Sequence, residues 1–342
     1  MLDWLTLRLE RADCPDWGGW RRLATWGDRI LRYCPSTGVV SWDISAWDSI
    51  RSDSHQLAIR ADGVTLHVQG SPARVMGTGD TVFGDGERGC DVWECAVAML
   101  RFVSRLIHYG PLPSPRCWKL TRVDVAQVYY LETLANVRCA LSELRNVEGG
   151  RYRVSQQAGD TVYWSHLSMY RSGKAYAKGP HLHYLLSKST YTGCQYSDDD
   201  LAYAQSLLRL ELKLGRGWFR RQRPWYLLQP LDFQREHDQY FTRMVGVEKV
   251  EVTDVSFVER LIAVSPTPGQ GKAAARTWSV IQTLGWQAAR DSMPPRTWYH
   301  HLKLLKKAGL GDADISAGRV INLRRPLILR PVSSWEELRK IA

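Results

Sequence analysis

A tyrosine and a lysine two residues apart, Tyr176 and Lys178, stand out in this sequence because together they suit chemistry on a phosphate. Both lie in the segment 161–183, TVYWSHLSMYRSGKAYAKGPHLH, which is predicted to form two strands joined by a turn. Side chains at positions i and i+2 of a strand project from one face, so the phenol and the ammonium would lie side by side. The same short pattern is common on ordinary solvated strands, so the pair needs neighbouring evidence before it indicates a site.

A tyrosine that attacks a phosphodiester forms a covalent phosphotyrosine and keeps the bond energy for later religation. Its free pKa is about 10, so a nearby cation or metal ion is needed to ionise it. A divalent ion can also offset the charge of the scissile phosphate and orient the phosphate for in-line attack. Such a hard ion prefers carboxylate oxygens as ligands.

Carboxylates and histidines on predicted strands are candidates to hold that ion. Asp124 and Glu211 each project from a predicted strand on the face opposite an apolar row. His181 and His183 add a further possibility, because an extended His-Leu-His would place both imidazoles on one face. Each of these residues has an alternative role as a solvated strand residue or an exposed histidine.

The first two thirds of the chain are predicted to be rich in strands. Alternating apolar residues predict strands over 2–10, 38–46, 56–60, 64–69, 120–131 and 208–214, and helical periodicity predicts helices over 92–107, 132–144 and 198–206. The segment 71–86 is predicted to be a long ordered loop, because it contains four glycines. Its GxG spacing could indicate a phosphate-binding turn, but no P-loop lysine follows. After about Gly215 the pattern becomes helical, which predicts a domain boundary there.

The segment 215–225, GRGWFRRQRPW, interleaves arginines with aromatic residues. Guanidinium groups pair with phosphates and indole rings stack on bases, so the segment is a candidate contact for single-stranded nucleic acid. A solvated basic turn is the alternative. The arginines are Arg216, Arg220, Arg221 and Arg223, and the aromatic residues are Trp218, Phe219 and Trp225.

Two helical runs, 272–290 and 295–308, are separated by a short turn near the C-terminus. Such a pair resembles a helix-turn-helix whose second helix enters a major groove, and the segment 318–330 would then be a basic β-wing. An ordinary helical hairpin with solvated lysines is the alternative. The cations of the second run that we expect to bind DNA are Arg296, Lys303, Lys306 and Lys307.

The chain is strongly basic, since its 342 residues carry a formal net charge of +11 and a pI near 9.4. This charge favours a polyanionic partner, nucleic acid first.

The length and the hydrophobic fraction of 44% are enough for two or three folded domains. Apolar runs are shorter than the ~18 residues of a spanning helix and the first residues do not resemble a secretory signal, so we expect a cytoplasmic protein without a membrane partner. Seven scattered cysteines are expected to be reduced thiols.

Seven segments, taken in order, carry a family resemblance: LDWLTLRLE (2–10), PARVMGTGDTVFG (72–84), TRVDV (121–125), TVYW (161–164), KAYAKG (174–179), LRLELKL (208–214) and WYHHLKLLKKAGL (298–310). One such segment would be weak evidence, whereas seven in the same order are hard to obtain by chance. The sequence resembles the rolling-circle replication initiators of filamentous bacteriophages, the gene II type of protein.

The resemblance implies a fold, an activity and a set of partners. The fold would be α+β, with an antiparallel sheet and flanking helices as in tyrosine endonucleases, followed by a mainly helical, helix-turn-helix-like C-terminal domain. The activity would be site-specific nicking of the double-stranded replicative form at the plus-strand origin through a covalent phosphotyrosine, and later rejoining of the displaced strand. The implied cofactor is Mg²⁺ or Mn²⁺. The implied partners are phage origin DNA and the replication helicase and polymerase of the bacterial host, in whose cytoplasm the protein would act.

Carried over residue by residue, the resemblance implies that Tyr176 is the nucleophile and Lys178 the lysine of its motif. The two acidic positions of the family fall on Asp124 and Glu211. Where the family often has a glutamate, three residues after the lysine, this chain has His181. That departure makes His181 a candidate metal ligand and leaves the ligand set open, while His183 has no clear counterpart.

These predictions together divide the chain into three parts. We expect a catalytic nicking and joining domain over 1–214, a basic aromatic linker with helices over 215–270, and a helix-turn-helix or winged-helix-like DNA-binding segment over 271–342. Two other functions stay open from the sequence. One is a non-enzymatic, sequence-specific DNA-binding regulator that retains an initiator-like core, and the other is a plasmid or transposon initiator with the same chemistry.

Overall fold

The structure is a computed structural model of the chain. It describes residues 1–23, 28–46, 48–52, 55–77, 79–106, 111–145, 154–155, 159–189, 191, 193–245, 254–318 and 331–342. The predicted β-wing over 318–330 lies outside these residues except for Gly318.

Most of the described strands belong to one antiparallel sheet. The strands are β1 (Leu2–Glu10), β2 (Arg29–Tyr33), β3 (Val40–Ser45), β4 (Asp48–Ser52), β5 (His55–Ala61), β6 (Thr65–Gly70), β7 (Lys119–Tyr130), β8 (Val154–Ser155), β9 (Thr161–Trp164), β10 (Arg171–Ala177), β11 (Leu207–Gly215) and β12 (Pro331–Val332). Within the described segments, ten of them form a sheet in the order β4-β5-β6-β1-β7-β11-β10-β9-β8, with β12 also paired to β7. Strands β2 and β3 form a separate two-stranded ribbon.

The helices flank the sheet in the first part of the chain, and those within residues 254–317 pack mainly against one another. They are α1 (Gly19–Leu23), α2 (Ala73–Met76), α3 (Val92–Leu106), α4 (Leu134–Arg145), α5 (Lys178–Leu186), α6 (Asp198–Ala204), α7 (Arg216–Phe219), α8 (Pro230–Val245), α9 (Asp254–Val264), α10 (Pro268–Leu284), α11 (Trp286–Asp291), α12 (Pro295–Lys307) and α13 (Asp312–Ala317), followed by a C-terminal helix, Trp335–Ile341. The expected α+β class, with an antiparallel sheet, flanking helices and a helical C-terminal region, is confirmed.

The alternating pattern of β11 explains how the sheet separates its two faces. Leu208, Leu210 and Leu212 are fully buried in the main hydrophobic core, which also contains residues of α3, α4 and α8. Burying one such leucine contributes roughly 1.5–3 kcal/mol. The intervening residues Arg209 and Glu211 project from the opposite face. One face of the sheet therefore holds the main core, and the opposite face carries buried polar side chains beside a smaller hydrophobic cluster.

The predicted linker over 215–270 is mostly part of the sheet domain. Trp218 and Trp225 are 1% and 7% exposed and lie in the main core with Phe233 and Met244 of α8. The reason is that the apolar faces of α7 and α8 continue the hydrophobic surface of β11 and β7. These two indole rings are thus unable to stack on bases in this conformation.

Helices α9 to α13 share a second hydrophobic core, built around Trp278, Trp298 and Leu305. The predicted helix over 272–290 is two helices, because Gly285 has a φ of +82° and separates α10 from α11. The two helices joined by the short turn are consequently α11 and α12. The predicted helix over 295–308 is confirmed as α12.

The last described segment, 331–342, returns to the sheet instead of remaining with the helical unit. Strand β12 pairs with β7 through Pro331 and Val332. Leu338 of the C-terminal helix is fully buried in a third hydrophobic cluster with Val82 and Leu182. The segment predicted as DNA-binding over 271–342 therefore includes residues that complete the first domain.

Among the described residues, no helix is long and apolar enough to cross a membrane. All seven cysteines lie in described segments and are free thiols, as expected. The predicted loop over 71–86 contains the short helix α2.

Candidate active site

Tyr176 lies on β10, on the polar face of the sheet, and is 3% exposed. Its hydroxyl group donates a hydrogen bond to Oε1 of Glu211 at 2.7 Å. Lys174, two residues earlier on the same face, places Nζ 4.0 Å from the centre of the Tyr176 ring and 3.5 Å from Oε2 of Glu211. A phenol, a carboxylate that accepts its hydrogen bond and an ammonium thus lie together.

Arg209 is a fully buried cation beside the same carboxylate. It lies directly across from Tyr176 in the β10–β11 pairing, and its Nε is 3.0 Å from Oε1 of Glu211. Its Nη2 is 2.7 Å from Oδ1 of Asp3. Asp3 reaches this face because the pairing of β1 with β7 has a bulge between Leu2 and Trp4, and a bulge re-aims the side chain it contains.

Lys178 is not on the strand with Tyr176, as the sequence predicted, but is the first residue of α5. Its Nζ is 5.9 Å from the Tyr176 ring centre and donates a hydrogen bond to the backbone carbonyl of Thr81. Arg209 donates to the same Thr81 carbonyl at 2.8 Å and to the Val82 carbonyl at 3.0 Å. The two buried cations therefore share an anchor on the loop that follows α2.

Burial sets the protonation of the two motif residues. It raises the pKa of Tyr176 well above its usual value, although Arg209 acts in the opposite direction. Burial, assisted by the charge of Arg209, lowers the pKa of Lys178 to about 7. The phenol is accordingly protonated in this state, and the amine titrates near neutral pH.

Asp124 projects from β7 on the same polar face, as predicted, but a guanidinium occupies both of its oxygens. Arg122 donates to Oδ1 through Nε at 2.8 Å and to Oδ2 through Nη2. Burial raises the pKa of Asp124 against the opposing effect of Arg122, and the charges of Glu211 and Asp3 raise it further. The pKa of Asp124 thus depends on the charges of Glu211 and Asp3, and each of the three carboxylates is paired with an arginine.

The predicted histidine geometry is wrong, because His181 and His183 belong to α5 and not to an extended segment. In a helix, residues two apart do not share a face, so His181 is half-buried while His183 is exposed. The His181 ring lies 4.8 Å from the Tyr176 ring, and its Nδ1 has no hydrogen-bond partner among the described residues. Burial first, and then the nearby Lys178, lowers the pKa of His181 to about 3, so its ring is neutral.

The three predicted metal ligands, Asp124, Glu211 and His181, do not form a ready-made metal site. In the part of the chain that the structure describes, no group of three His, Cys, Asp or Glu side chains is placed to hold a metal ion. Asp124 and Glu211 are instead paired with Arg122 and Arg209. The ligand set stays a prediction, and binding a cation there would require these carboxylates to leave their arginine partners.

The arginines proposed to bind DNA around α7 are exposed at the surface, but they differ in their contacts. Arg223 is paired with Asp232. The Arg221 guanidinium lies 5.2 Å from the centre of the Tyr170 ring, and Arg216 contacts the sulfur of Met169. Arg220 is exposed. A role in DNA binding stays a prediction for all four.

The basic face of α12 has the arrangement that the sequence predicts. Trp298 and Leu305 are buried in the second core. The cations project to solvent on the other sides of the helix, and they are Arg296, Lys303, Lys306 and Lys307. Lys306 forms an ion pair with Asp312 at 2.5 Å, so part of its charge is already neutralised.

Four contributors to the site were not singled out from the sequence: Asp3, Thr81, Lys174 and Arg209. Lys174 and Arg209 were accessible to the same rule of alternation, since each lies two residues before Tyr176 or Glu211 on its strand. Asp3 depends on a bulge, and Thr81 contributes a backbone carbonyl, so neither leaves a side-chain signal in the sequence.

Residues 1–239 match the protein-family model for the N-terminal part of a phage replication-associated protein, the gene II protein. The matched residues include every side chain of the cluster around Tyr176 and extend into α8. The chain belongs to this family. Membership of the replication-associated protein family supports the expected role as a phage rolling-circle replication initiator, while the filamentous type of phage and the phosphotyrosine chemistry stay predictions.

The other comparisons add little to the family assignment. A solved structure of a rolling-circle replication initiator protein from Geobacillus stearothermophilus is similar to this chain with a TM-score of 0.31 and 12% identity, over 75% of this chain and 89% of that one. No curated protein sequence matches the chain.

Proposed function

We propose that this member of the replication-associated protein family initiates rolling-circle replication of a filamentous phage by nicking the plus-strand origin of the double-stranded replicative form with Tyr176. The observation that carries the proposal is the 2.7 Å hydrogen bond from the Tyr176 hydroxyl group to Glu211, within a cluster of buried cations. A phenol whose proton already points at a carboxylate is prepared to become a nucleophile.

The nicking step balances with groups of this cluster. The Tyr176 hydroxyl group gives its proton to Glu211 as its oxygen attacks phosphorus. The bond from phosphorus to the 3′ oxygen breaks, which leaves a 5′-phosphotyrosine on the protein. The 3′ oxygen takes the proton that Glu211 received, directly or through water, and becomes a free 3′-hydroxyl for polymerase. The reverse reaction with the 3′-hydroxyl of the displaced strand would rejoin it into a circle.

The cations of the cluster would stabilise the negative charge that develops in this step. Lys174 lies over the Tyr176 ring, and Arg209 contacts the carboxylate that takes the proton. Lys178, nearby on α5, would stabilise the phenolate or the charge on the phosphate. Since Tyr176 is 3% exposed, the scissile phosphate must open a path to its oxygen. The His181 ring, whose centre lies 4.8 Å from that of the Tyr176 ring, is one of the groups that would move.

A requirement for Mg²⁺ or Mn²⁺ is part of the proposal. When bound, a divalent ion would offset the charge of the phosphate and orient it for attack. Asp124, Glu211 and His181 are the residues we expect to hold it, and the two carboxylates would have to leave their arginine partners.

The net positive charge of the chain and its family membership support DNA as the proposed substrate. Phage origin DNA, double- and single-stranded, would bind the arginines around α7 and the cations of α12, since both sets face solvent. The host replication helicase and polymerase would then extend the free 3′-hydroxyl in the cytoplasm of the bacterial host.

Nicking of a supercoiled plasmid that carries the phage origin tests the proposal. With Mg²⁺ we expect conversion of supercoiled plasmid to nicked circles, with none after EDTA and none on the same plasmid lacking the origin. A protein that retards the origin fragment in a gel but leaves the plasmid supercoiled under all of these conditions would be a DNA-binding regulator, and the proposed activity would be wrong.

A further inference from the structure

The C-terminal segment 331–342 packs against the loop that anchors the two buried cations of the site. Val332 of β12 pairs with Val128 of β7, and Leu338 of the C-terminal helix lies in the same hydrophobic cluster as Val82. Val82 follows Thr81, whose carbonyl accepts hydrogen bonds from Lys178 and Arg209. The C-terminal segment is therefore connected to Tyr176 through the loop at Thr81 and Val82 and through the two cations that this loop anchors.

Trp335 makes the closest connection between this segment and the loop. Its indole Nε1 donates a hydrogen bond to Oδ2 of Asp80 at 3.1 Å. Its ring meets the Phe83 ring edge-on, with the centres 5.0 Å apart. A hydrogen bond and an aromatic contact thus fix both sides of the dipeptide Thr81–Val82.

Asp80 is 9% exposed and fixes the loop through its other oxygen. Oδ1 accepts hydrogen bonds from the backbone N–H of Val82 at 2.7 Å and from the Tyr196 hydroxyl group at 3.0 Å. The Tyr196 oxygen in turn accepts a hydrogen bond from the Thr81 N–H at 2.9 Å. The Val82 N–H and the Thr81 carbonyl belong to one planar peptide unit, so the bond from Val82 to Asp80 fixes the direction of the Thr81 carbonyl. The Val82 carbonyl lies between this fixed N–H and Phe83, whose ring contacts Trp335.

We propose that Trp335 and Asp80 are positioning residues for nicking, which hold the Thr81 and Val82 carbonyls so that Lys178 and Arg209 point at Tyr176 and Glu211. The inference rests on the proposed function, and it makes the C-terminal segment part of the nicking unit although the family match ends at residue 239. If the loop shifts, Arg209 loses two of its acceptors and Lys178 loses its carbonyl. Both cations are buried, so small displacements change the field at the phenol strongly.

The experiment removes one hydrogen bond and keeps the aromatic contact. Trp335→Phe keeps an aromatic ring against Phe83 and lacks the N–H that Asp80 accepts. On a single-stranded origin oligonucleotide we expect kcat to fall roughly tenfold, the size expected for loss of a hydrogen bond to a charged group, with KM unchanged. Trp17→Phe is the matched control, because the Trp17 indole donates to the carbonyl of Pro111, away from the site, and it should nick at the wild-type rate.

A double-mutant cycle separates positioning from general destabilisation. Trp335→Phe and Asp80→Asn break the same contact, so the double variant should nick no more slowly than Asp80→Asn alone. Tyr196→Phe, which removes another bond to Asp80, should also lower kcat with KM unchanged, and it serves as the second variant if Trp335→Phe folds poorly.

The outcomes distinguish this inference from the proposed function. Wild-type protein that does not nick would contradict the proposed function itself. Active wild-type protein together with a folded Trp335→Phe or Tyr196→Phe that nicks at the wild-type rate would overturn the positioning role. A fall in kcat that Trp17→Phe shares, or that only follows a lower melting temperature, would overturn it as well.

Discussion

Tyr176 is subject to two opposing influences. Burial raises its pKa, and the Glu211 and Asp3 carboxylates raise it further, while Arg209 lowers it. The hydroxyl group donates its hydrogen bond to Glu211 at 2.7 Å. The proton therefore has a defined destination before any substrate arrives. In the proposed function, a tyrosine buried in this way would keep its proton until a phosphate enters the site.

Lys178 gives a prediction about stability and pH. Its pKa is about 7 in the folded protein and about 10.5 in the unfolded chain, so the unfolded state holds one more proton between these values. Stability of the wild-type protein should therefore rise relative to Lys178→Met as the pH increases from 7 to 10. The change in relative free energy of unfolding is on the order of 4 kcal/mol, measured by urea denaturation at pH 6 and pH 10.

The control for this measurement is Lys272→Met, which replaces an exposed lysine. Its free energy of unfolding should stay parallel to that of wild type across the same pH range. A Lys178→Met curve that is equally parallel would mean that the amine is not buried as the structure has it.

At the residue scale, the sequence predicts some side chains of the site and not others, for a physical reason. Tyr176, Asp124 and Glu211 share a face because strand alternation is a local rule. Lys178 and His181 were misplaced because the strand ends at Ala177. Pro180 follows at once, and a proline suits the first turn of a helix but cannot donate a ladder hydrogen bond, so the signal was present.

At the scale of elements, strands with clean alternation were predicted within a residue or two, whereas helix boundaries depended on caps. Helix α10 begins four residues before the predicted start because Thr267 caps it and Pro268 opens it. It ends at Gly285, where the left-handed backbone interrupts a helical pattern that looks continuous in the sequence. The bulge that delivers Asp3 has no local signature, since it depends on how β1 meets β7.

The basic face of α12 gives a prediction about origin recognition. Lys303→Ala with Lys307→Ala should weaken binding of duplex origin DNA and reduce the slope of log affinity against log salt by about 0.9 for each lost phosphate contact. Cleavage of a single-stranded oligonucleotide should be unchanged, because α12 packs in the second core and not on the sheet. Lys306 is left intact because it is paired with Asp312.

The matched control is Arg101→Ala with Arg105→Ala, an exposed pair with the same spacing on α3. Duplex affinity and salt slope should be those of wild type in this variant. Equal losses in the two double variants would mean that net charge, and not the α12 face, determines binding. Charge removal is preferable to deleting residues 270–342, because that deletion also removes the segment that packs on the sheet.

At the scale of the whole molecule, the chain builds the sheet domain, then the helical unit, and then returns to the sheet. Strand β12 pairs with β7 about 200 residues after β7 in the sequence. Such a long-range pairing carries no periodic signal, because two residues of strand are too few for a pattern. Composition and motif order predicted the class of protein, whereas the closure of the first domain by the last residues required the structure.

Tyr176 as the nucleophile is the central claim for the whole molecule, and the covalent adduct tests it most directly. The protein is incubated with Mg²⁺ and a single-stranded origin oligonucleotide, digested, and the peptide that carries nucleotide is identified by mass spectrometry. We predict the adduct on the peptide that contains Tyr176, and no adduct in Tyr176→Phe although that variant binds the oligonucleotide nearly as tightly as wild type. An adduct on Tyr163, Tyr170 or Tyr184, or one that persists in Tyr176→Phe, would contradict the claim.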